Sequence, residues 1–524
     1  MKIDDILKEL SVSDGTAPVS MTWNAADEAH IEVAPEDFKK ACLFAHQKTG
    51  SPVAALFAED ARAARNCFFV RCVFASRGEG KWLIVSAGLN GQSPEFDSLA
   101  NDIFSASLFE REISEMFGIN RRGAFDSRRL RLHPETWPEG FYPLRKDFSP
   151  PGKNCVTGKA YPFRRVEGGG VFEVPVGPVH AGIIAPGHFR FSSAGEPVLN
   201  LEIRLGFTHR GVEKLLEGKT AEAALPFSEL VDGEAAFAHS LAFSNAVERI
   251  RGVKIPEEQQ LARGILLEIE RLYNHAADLG GLATDVGFSF PAACASVIKE
   301  NILSLNEKLT GSRYLKNFNR IGGVLPLPAA AKLEAVLSEA ERDFRSLKKM
   351  LYGSVSFMDR VEETGILSHK TAVELGVSGP AARASGIAAD LRMDFSPLYK
   401  NAGFKPAKQE RGDVLARLNV RVQEFEESVR LIRKFSDMLK TGTAAKISAG
   451  EPKSGCALGC AESWRGPILY WVRLGENGLV ERCKITDPSF NNWEALAQAV
   501  PGNIIPDFPL CNKSFNLSYP GNDL

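Results

Sequence analysis

The chain of 524 residues carries 63 Lys and Arg against 65 Asp and Glu, with 44% hydrophobic and 24% charged residues, a composition that excludes disorder, collagen and coiled coil. Its length predicts about two to four domains with large cores. A formal charge of −2 gives no global reason to bind polyanions, and no nucleic-acid partner is expected; Arg121, Arg122, Arg128, Arg129 and Arg131, interleaved with Asp126, read as a solvated or protein-docking face.

Residues 36–120 alternate helical and strand patterns. Phe68–Phe74 and Trp82–Val85 read as strands and Ser98–Phe117 as a helix, which predicts a small α+β domain over residues 1–150. Pro150, Pro151, Gly152, Gly158, Pro162 and Gly168-Gly169-Gly170 mark a linker over 151–172. Residues 173–524 read as a larger, mainly helical domain with peripheral strands, so the fold class is α+β. Gly187–Val198 reads as strand and turn. Leu261, Ile265, Ile269 and Leu272 line one face of a helix running toward Leu279, and Leu415, Leu418, Val422, Phe425 and Val429 stripe another over Asp413–Leu439. Strand character returns at Ile468–Leu474 and Val480–Ile485, then a short helix near Asn492–Val500 and an irregular Pro- and Asn-rich end.

No run of about 18 apolar residues occurs, so no bilayer-spanning helix is expected. Met1-Lys2-Ile3-Asp4-Asp5 does not open a signal peptide, which points to a cytosolic chain with any membrane link peripheral. Nine scattered Cys suit reduced thiols. Gly218-Lys219-Thr220 lacks the earlier glycine of a phosphate loop, since position 213 is Glu. The triple glycine at 168–170 leads into a strand and lacks dinucleotide-binding spacing. Cys456 and Cys460 have no second pair nearby to complete four ligands and read as two thiols on a loop. His180 and His188 are separated across Pro186-Gly187, and no His pair has metal-binding spacing. Residue patterns alone therefore leave a large α+β protein without an assigned activity.

Longer segments add a resemblance. Glu110-Arg-Glu-Ile-Ser-Glu-Met-Phe-Gly-Ile119, Arg128-Arg-Leu and Pro143-Leu-Arg-Lys-Asp147 resemble the 30-kDa-type subunit of respiratory complex I. Gly177-Pro-Val-His180, Thr208-His-Arg-Gly-Val-Glu-Lys214, Glu270-Arg-Leu-Tyr-Asn-His275, Asn319-Arg-Ile-Gly-Gly-Val324, Ser378-Gly-Pro-Ala-Ala-Arg-Ala-Ser-Gly386 and Asp487-Pro-Ser-Phe490 resemble the 49-kDa-type subunit of complex I and the large subunit of membrane-bound group 4 NiFe-hydrogenases. The order of the two regions, 30-kDa-type before 49-kDa-type, with Pro186-Gly187-His188-Phe189 and Phe237-Ala-His-Ser240, is most similar to formate-hydrogenlyase and hydrogenase-4 large subunits.

In that family the Ni–Fe centre takes four thiolates from two C-x₂-C pairs. Aligned on Phe237-Ala-His-Ser240, the first pair of slots falls on Asp232 and Ala235, and the C-terminal end puts Ser518 and Gly521 in the second. Cys511 is too early to fill a slot, Cys456 and Cys460 belong to another segment, and Ala185 stands where the family has a proton-relay Glu. The resemblance therefore implies a chain with no metal ligands. Gly233 and Ile184 stand where complex I holds its quinone headgroup with Tyr and His. Arg210 and His275 match the Arg and His beside the 4Fe-4S cluster of a neighbouring subunit, where a cation and a hydrogen-bond donor raise its potential and couple reduction to proton uptake. His180, His188, Asp232, His239, Ser518 and Tyr519 are the residues expected to line the former metal cavity.

By this resemblance the chain is an oxidoreductase subunit, acting only within an NADH-dehydrogenase-like electron-transport assembly linked to NAD and quinone, at the cytoplasmic face of the inner membrane. The implied partners are a B-type iron–sulfur subunit, other hydrophilic electron-transfer subunits and ion-translocating membrane subunits. No cofactor is expected on this chain itself; the cluster belongs to the partner, and a quinone or small electron acceptor is the molecule its cavity would enclose. A non-redox scaffold and a hydrogenase using oxygen ligands such as Asp232 and Ser518 are the alternatives. Without the resemblance, His275 reads equally as an interhelical histidine, Arg210 as an ion-pair partner at a helix end and Asp232 as an N-cap.

Overall fold

The structure, a computed structural model, describes residues 3–12, 18–152, 157–180, 184–327, 331–439 and 447–524. In the N-terminal part, β1 (Ser20–Ala25), β2 (Glu28–Val33), β3 (Ala55–Asp60), β4 (Cys67–Ser76) and β5 (Lys81–Asn90) form one sheet of order β1-β2-β5-β4-β3. β2 and β5 are parallel and the other neighbours antiparallel. Alternate residues of a strand point to opposite faces. Val70, Cys72, Leu83 and Val85 pack against α1 (Phe38–Thr49) and α2 (Ser107–Phe117), while Val73, Trp82 and Ile84 meet Leu458, Leu469 and Trp471 from the far end of the chain. Burial on both faces explains why β4 and β5 read as continuous apolar runs.

Helix α2 starts nine residues later than the helix expected from Ser98. The Glu110 carboxylate accepts the Ser98 hydroxyl at 2.7 Å and the amides of Leu99 and Ala100 at 2.6 and 3.2 Å, folding that segment back onto the helix.

Residues 157–170 hold no helix or strand. Beyond them β6 (Val171–Val176), β7 (His188–Ala194) and β8 (Val198–Arg204) form an antiparallel sheet. The helical body consists chiefly of α3 (Val212–Leu216), α4 (Ala236–Arg251), α5 (Glu257–Asp285), α6 (Ser289–Thr310), α7 (Ala331–Tyr352) and α8 (Val414–Leu439). The predicted stripes of α5 and α8 share one core, with Ile265, Ile269 and Leu272 in the same cluster as Leu418, Val422 and Phe425. A three-stranded antiparallel sheet follows, β9 (Gly455–Ser463), β10 (Gly466–Leu474) and β11 (Val480–Thr486), then α9 (Ser489–Ala499), α10 (Phe508–Phe515) and α11 (Tyr519–Asp523). The molecule is α+β, a small sheet domain and a larger helical one.

Two expectations are corrected here. Cys456 and Cys460 lie on strand β9, not on a loop, and the irregular end is largely helical. Among the described residues, no helix is long and apolar enough to cross a membrane.

Candidate functional site

The first amides of a helix lack intrahelical acceptors. At the start of α4, Phe237 and Ala238 donate theirs to the two carboxylate oxygens of Glu270, on α5, at 2.8 and 3.1 Å. This anchors α4 so that His239 faces inward, fully buried. His239 Nε2 lies 3.2 Å from Asp487 Oδ2 and Nδ1 lies 3.0 Å from the Tyr470 hydroxyl. An ionised carboxylate only accepts, so Nε2 donates to Asp487.

The other side of this buried cluster is built by the turn between β9 and β10. Arg465 there pairs with both Asp232 and Glu234, donates Nε to the Asn516 carbonyl at 2.6 Å and lies 3.9 Å from the Trp464 ring centre. The C-terminal segment closes the ring. Ser518 Oγ accepts the Gly521 amide at 2.9 Å, and a Cβ on Gly521 would fall 2.7 Å from the Asp487 carboxyl carbon. Arg210, exposed, ties the two walls together from outside, donating to the carbonyls of Leu230 at 2.7 Å, Val231 at 3.0 Å and Pro520 at 3.4 Å.

Three acids, Asp232, Glu270 and Asp487, therefore share this interior with Arg465 and His239, while Glu234, half exposed, pairs with Arg465 at its edge. Buried unpaired charge is costly, so part of the excess is relieved by protonation. Burial pushes Glu270 up to about 8 despite its two amide donors, so it is protonated at neutral pH. Burial also raises Asp232, helped by the charge of Asp487 and opposed by Arg465. Against the burial penalty, Arg465 holds Glu234 below the usual carboxylate range, and the His239 hydrogen bond does the same for Asp487. The result is a cluster in which acids of raised and of lowered proton affinity stand side by side, chemistry suited to holding and passing protons.

Asp232, His239 and Asp487 each offer a ligand atom within 4.8 Å of the others. Their donors are hard oxygens and an imidazole already engaged with Arg465 and one another, and Ala235 and Gly521 offer no donor. This set does not fit a soft nickel–iron centre held by four thiolates. Among the described residues, no thiol joins the group. Cys511 lies against Gly365 beside Arg417, with burial pushing it up to about 11. Burial pushes Cys460 on β9 up to about 12. Cys155 lies outside the described residues.

The sequence-derived candidates thus divide. Asp232, His239 and Ser518 come together. His180 and Tyr519 join an adjoining aromatic chain, next to Ser518 through Trp493: the His180 ring is 5.5 Å from Phe189, Phe189 is 6.2 Å from Trp493, and Trp493 is 4.8 Å from Tyr519. His188 rests on Phe163 at 5.2 Å, with Nδ1 3.4 Å from the Gly177 carbonyl. Arg210 and His275 also part company. His275 is fully buried, its Nε2 2.8 Å from Glu424 on α8 and its ring 6.3 Å from Trp464, so only Arg210 of this pair reaches the surface. Asp232 is not the N-cap of α4, a position held by Ala235. Sequence reasoning missed Arg465, Glu270, Tyr470 and Glu234 as site residues. Glu270 and Asp487 stand inside segments that carried the resemblance, a signal that was present, whereas nothing in spacing brings Arg465 to Asp232.

Comparison with known proteins agrees with this architecture. The model of the respiratory-chain NADH dehydrogenase 49 Kd subunit family matches residues 285–454, and that of the 30 Kd subunit family matches residues 31–154. Formate hydrogenlyase subunit 5 of Escherichia coli is 30% identical over 513 residues, covering 96% of this chain and 90% of that protein. Hydrogenase-4 component G of the same organism is 31% identical over 476 residues, covering 89% and 83%. NADH-quinone oxidoreductase subunit 4 of Thermus thermophilus is 30% identical over 368 residues, 64% of this chain and 90% of that one. The chain belongs to the family of large subunits in which 30- and 49-kDa-type NADH dehydrogenase regions are fused in one polypeptide, alongside formate hydrogenlyase subunit 5 and hydrogenase-4 component G.

Proposed function

We propose that the chain is the large subunit of a membrane-associated oxidoreductase complex, bordering the iron–sulfur cluster of a neighbouring B-type subunit and carrying no nickel–iron centre. The names of its relatives, which belong to hydrogenlyase, hydrogenase and quinone oxidoreductase assemblies, support the first half. One observation carries the second: the four positions that match the family's metal-binding thiolates, Asp232, Ala235, Ser518 and Gly521, converge on an interior held together by Arg465, His239 and Asp487.

In this reading Arg210 presents its cation toward the partner's cluster. An electron arriving there adds negative charge beside this interior, and the raised proton affinity of Asp232 lets it take up the compensating proton. A quinone-like or other small acceptor receives the electrons, and the change of charge is passed on to ion-translocating membrane subunits from the cytoplasmic face. The scaffold reading has one observation in its favour: the Arg210 donors reach backbone carbonyls of two loops, the work of a clamp.

A redox titration of the cluster in the purified assembly, followed by electron paramagnetic resonance, separates the two. Arg210→Gln lowers the midpoint potential if the cation faces the cluster. An unchanged potential in an intact assembly contradicts the redox role and leaves the scaffold.

A further inference from the structure

The geometry points to Glu112 and Arg131, both in the N-terminal domain, as positioning residues for the buried Asp232–His239–Asp487 cluster, an inference that rests on reading that cluster as the functional centre. Neither residue touches it. Arg131 donates Nε and Nη2 to the Asn522 carbonyl at 3.0 and 2.6 Å, one residue beyond Gly521. Its Nη1 meets Glu112 at 2.7 Å. Glu112 in turn accepts Lys484 Nζ on both oxygens, at 2.6 and 2.7 Å. Lys484 lies on β11, three residues before Asp487. One carboxylate on α2 thus ties together, through two cations, the segment that bears Asp487 and the segment that bears Ser518 and Gly521.

The tie is rigid for physical reasons. Glu112, Arg131 and Lys484 are 4%, 4% and 2% exposed, and loss of Glu112 leaves the buried Arg131 with no ion pair among the described residues, while Lys484 keeps Glu213 at 3.4 Å. Glu213 on α3 braces the same strand, accepting Arg482 Nη1 at 2.7 Å and the Ile485 amide at 2.9 Å. Arg131 is itself held from behind. Glu115 takes the amides of Leu130 and Arg131, each at 2.9 Å, and Arg111 donates to the carbonyls of Arg128 and Arg129 at 2.9 and 3.0 Å. The acidic helix that carries the 30-kDa resemblance is therefore a clamp on residues 128–132. Phe490, from the Asp487-Pro-Ser-Phe segment, enters the N-terminal core 4.9 Å from Phe109, and the Arg131 guanidinium lies 4.9 Å from the Phe490 ring centre. The N-terminal domain backs the two segments that carry Asp487 and Gly521, and the Glu112–Arg131 pair ties the one to the other.

His239 reports the placement of Asp487, because its Nε2 meets that carboxylate while Tyr470 and Asp232, from two other elements, face it as well. The experiment is ¹⁵N-imidazole NMR of the full chain, with His239 assigned by its loss in His239→Gln and the melting temperature of every variant measured alongside. Arg131→Met and Glu112→Gln displace the His239 Nε2 resonance, and Arg131→Lys, which keeps the charge, returns it toward the wild-type position. Folded variants that melt earlier yet leave the His239 resonances where they were would overturn the inference, since a purely structural role moves only the melting temperature. Should Arg131→Met fail to fold, the near-isosteric Glu112→Gln decides by the same criterion. Nickel in the assembly would defeat the proposed function and leave this comparison intact, so the two failures are distinguishable.

Discussion

Glu270 lies beneath the first turn of α4 with two amide donors and, among the described residues, no ion pair. Its carboxyl is raised to about 8 in the folded chain by burial, against an unfolded value of about 4.3. The folded state therefore binds the extra proton between those values. Stability that this proton supplies is complete at low pH and is lost as pH rises through the window, by about 1.4 kcal/mol per pH unit. Glu270→Gln, which mimics the protonated acid, removes that loss. Urea unfolding of both chains from pH 5 to 8 should show wild type weakening relative to the variant as pH rises; parallel curves would show that Glu270 is ionised in the fold. At this scale little was legible. Asp232 and His239 were found because they flank a recognisable segment, but their partners Arg465 and Asp487 are more than 200 positions away, and only tertiary packing brings opposite charges together over such separations. His275 shows the converse: its segment is recognisable, yet its ring is committed to Glu424 inside the chain.

Among the elements, long periodic helices were legible and short ones were not. α5 and α8 announce themselves because apolar stripes repeat over many turns. The Pro- and Asn-rich end read as irregular, whereas in the structure Pro509 and Pro520 occupy the first turns of α10 and α11, where a missing N–H leaves no broken bond. Strand β9 was hidden because Cys456-Ala-Leu-Gly-Cys460 has weak strand propensity. Its conformation is imposed by neighbours: Leu458 packs toward the N-terminal sheet, and Ala457 and Ala461 pack in the core that also takes in α4. Gly459 shows how close that approach is. A Cβ there would lie 2.2 Å from the Ala242 carbonyl and 2.3 Å from the Ala246 nitrogen of α4. Gly459→Ala should cost about 3 kcal/mol or more, because both obstacles are backbone and cannot rotate away. An unfolding midpoint equal to wild type would mean that α4 and β9 do not meet at this point.

At the scale of the whole molecule, the two regions that resemble separate subunits are joined by buried charge as well as by chain. The N-terminal sheet is covered on one face by its own helices and on the other by residues of β9 and β10, and Phe490 completes its core. Fold class and fusion order were legible because they rest on local pattern and recognisable segments; the seam was not, since Glu112, Arg131 and Lys484 look like ordinary surface charges until the fold buries them. Under the proposed function, the positions matching the family's metal-binding thiolates lie in an interior of carboxylates, an imidazole and a guanidinium, with no nickel–iron centre. Metal analysis of the intact, purified assembly puts that statement to its sharpest test. Iron from the partner subunits with no stoichiometric nickel is the expected result; one nickel per chain would contradict it.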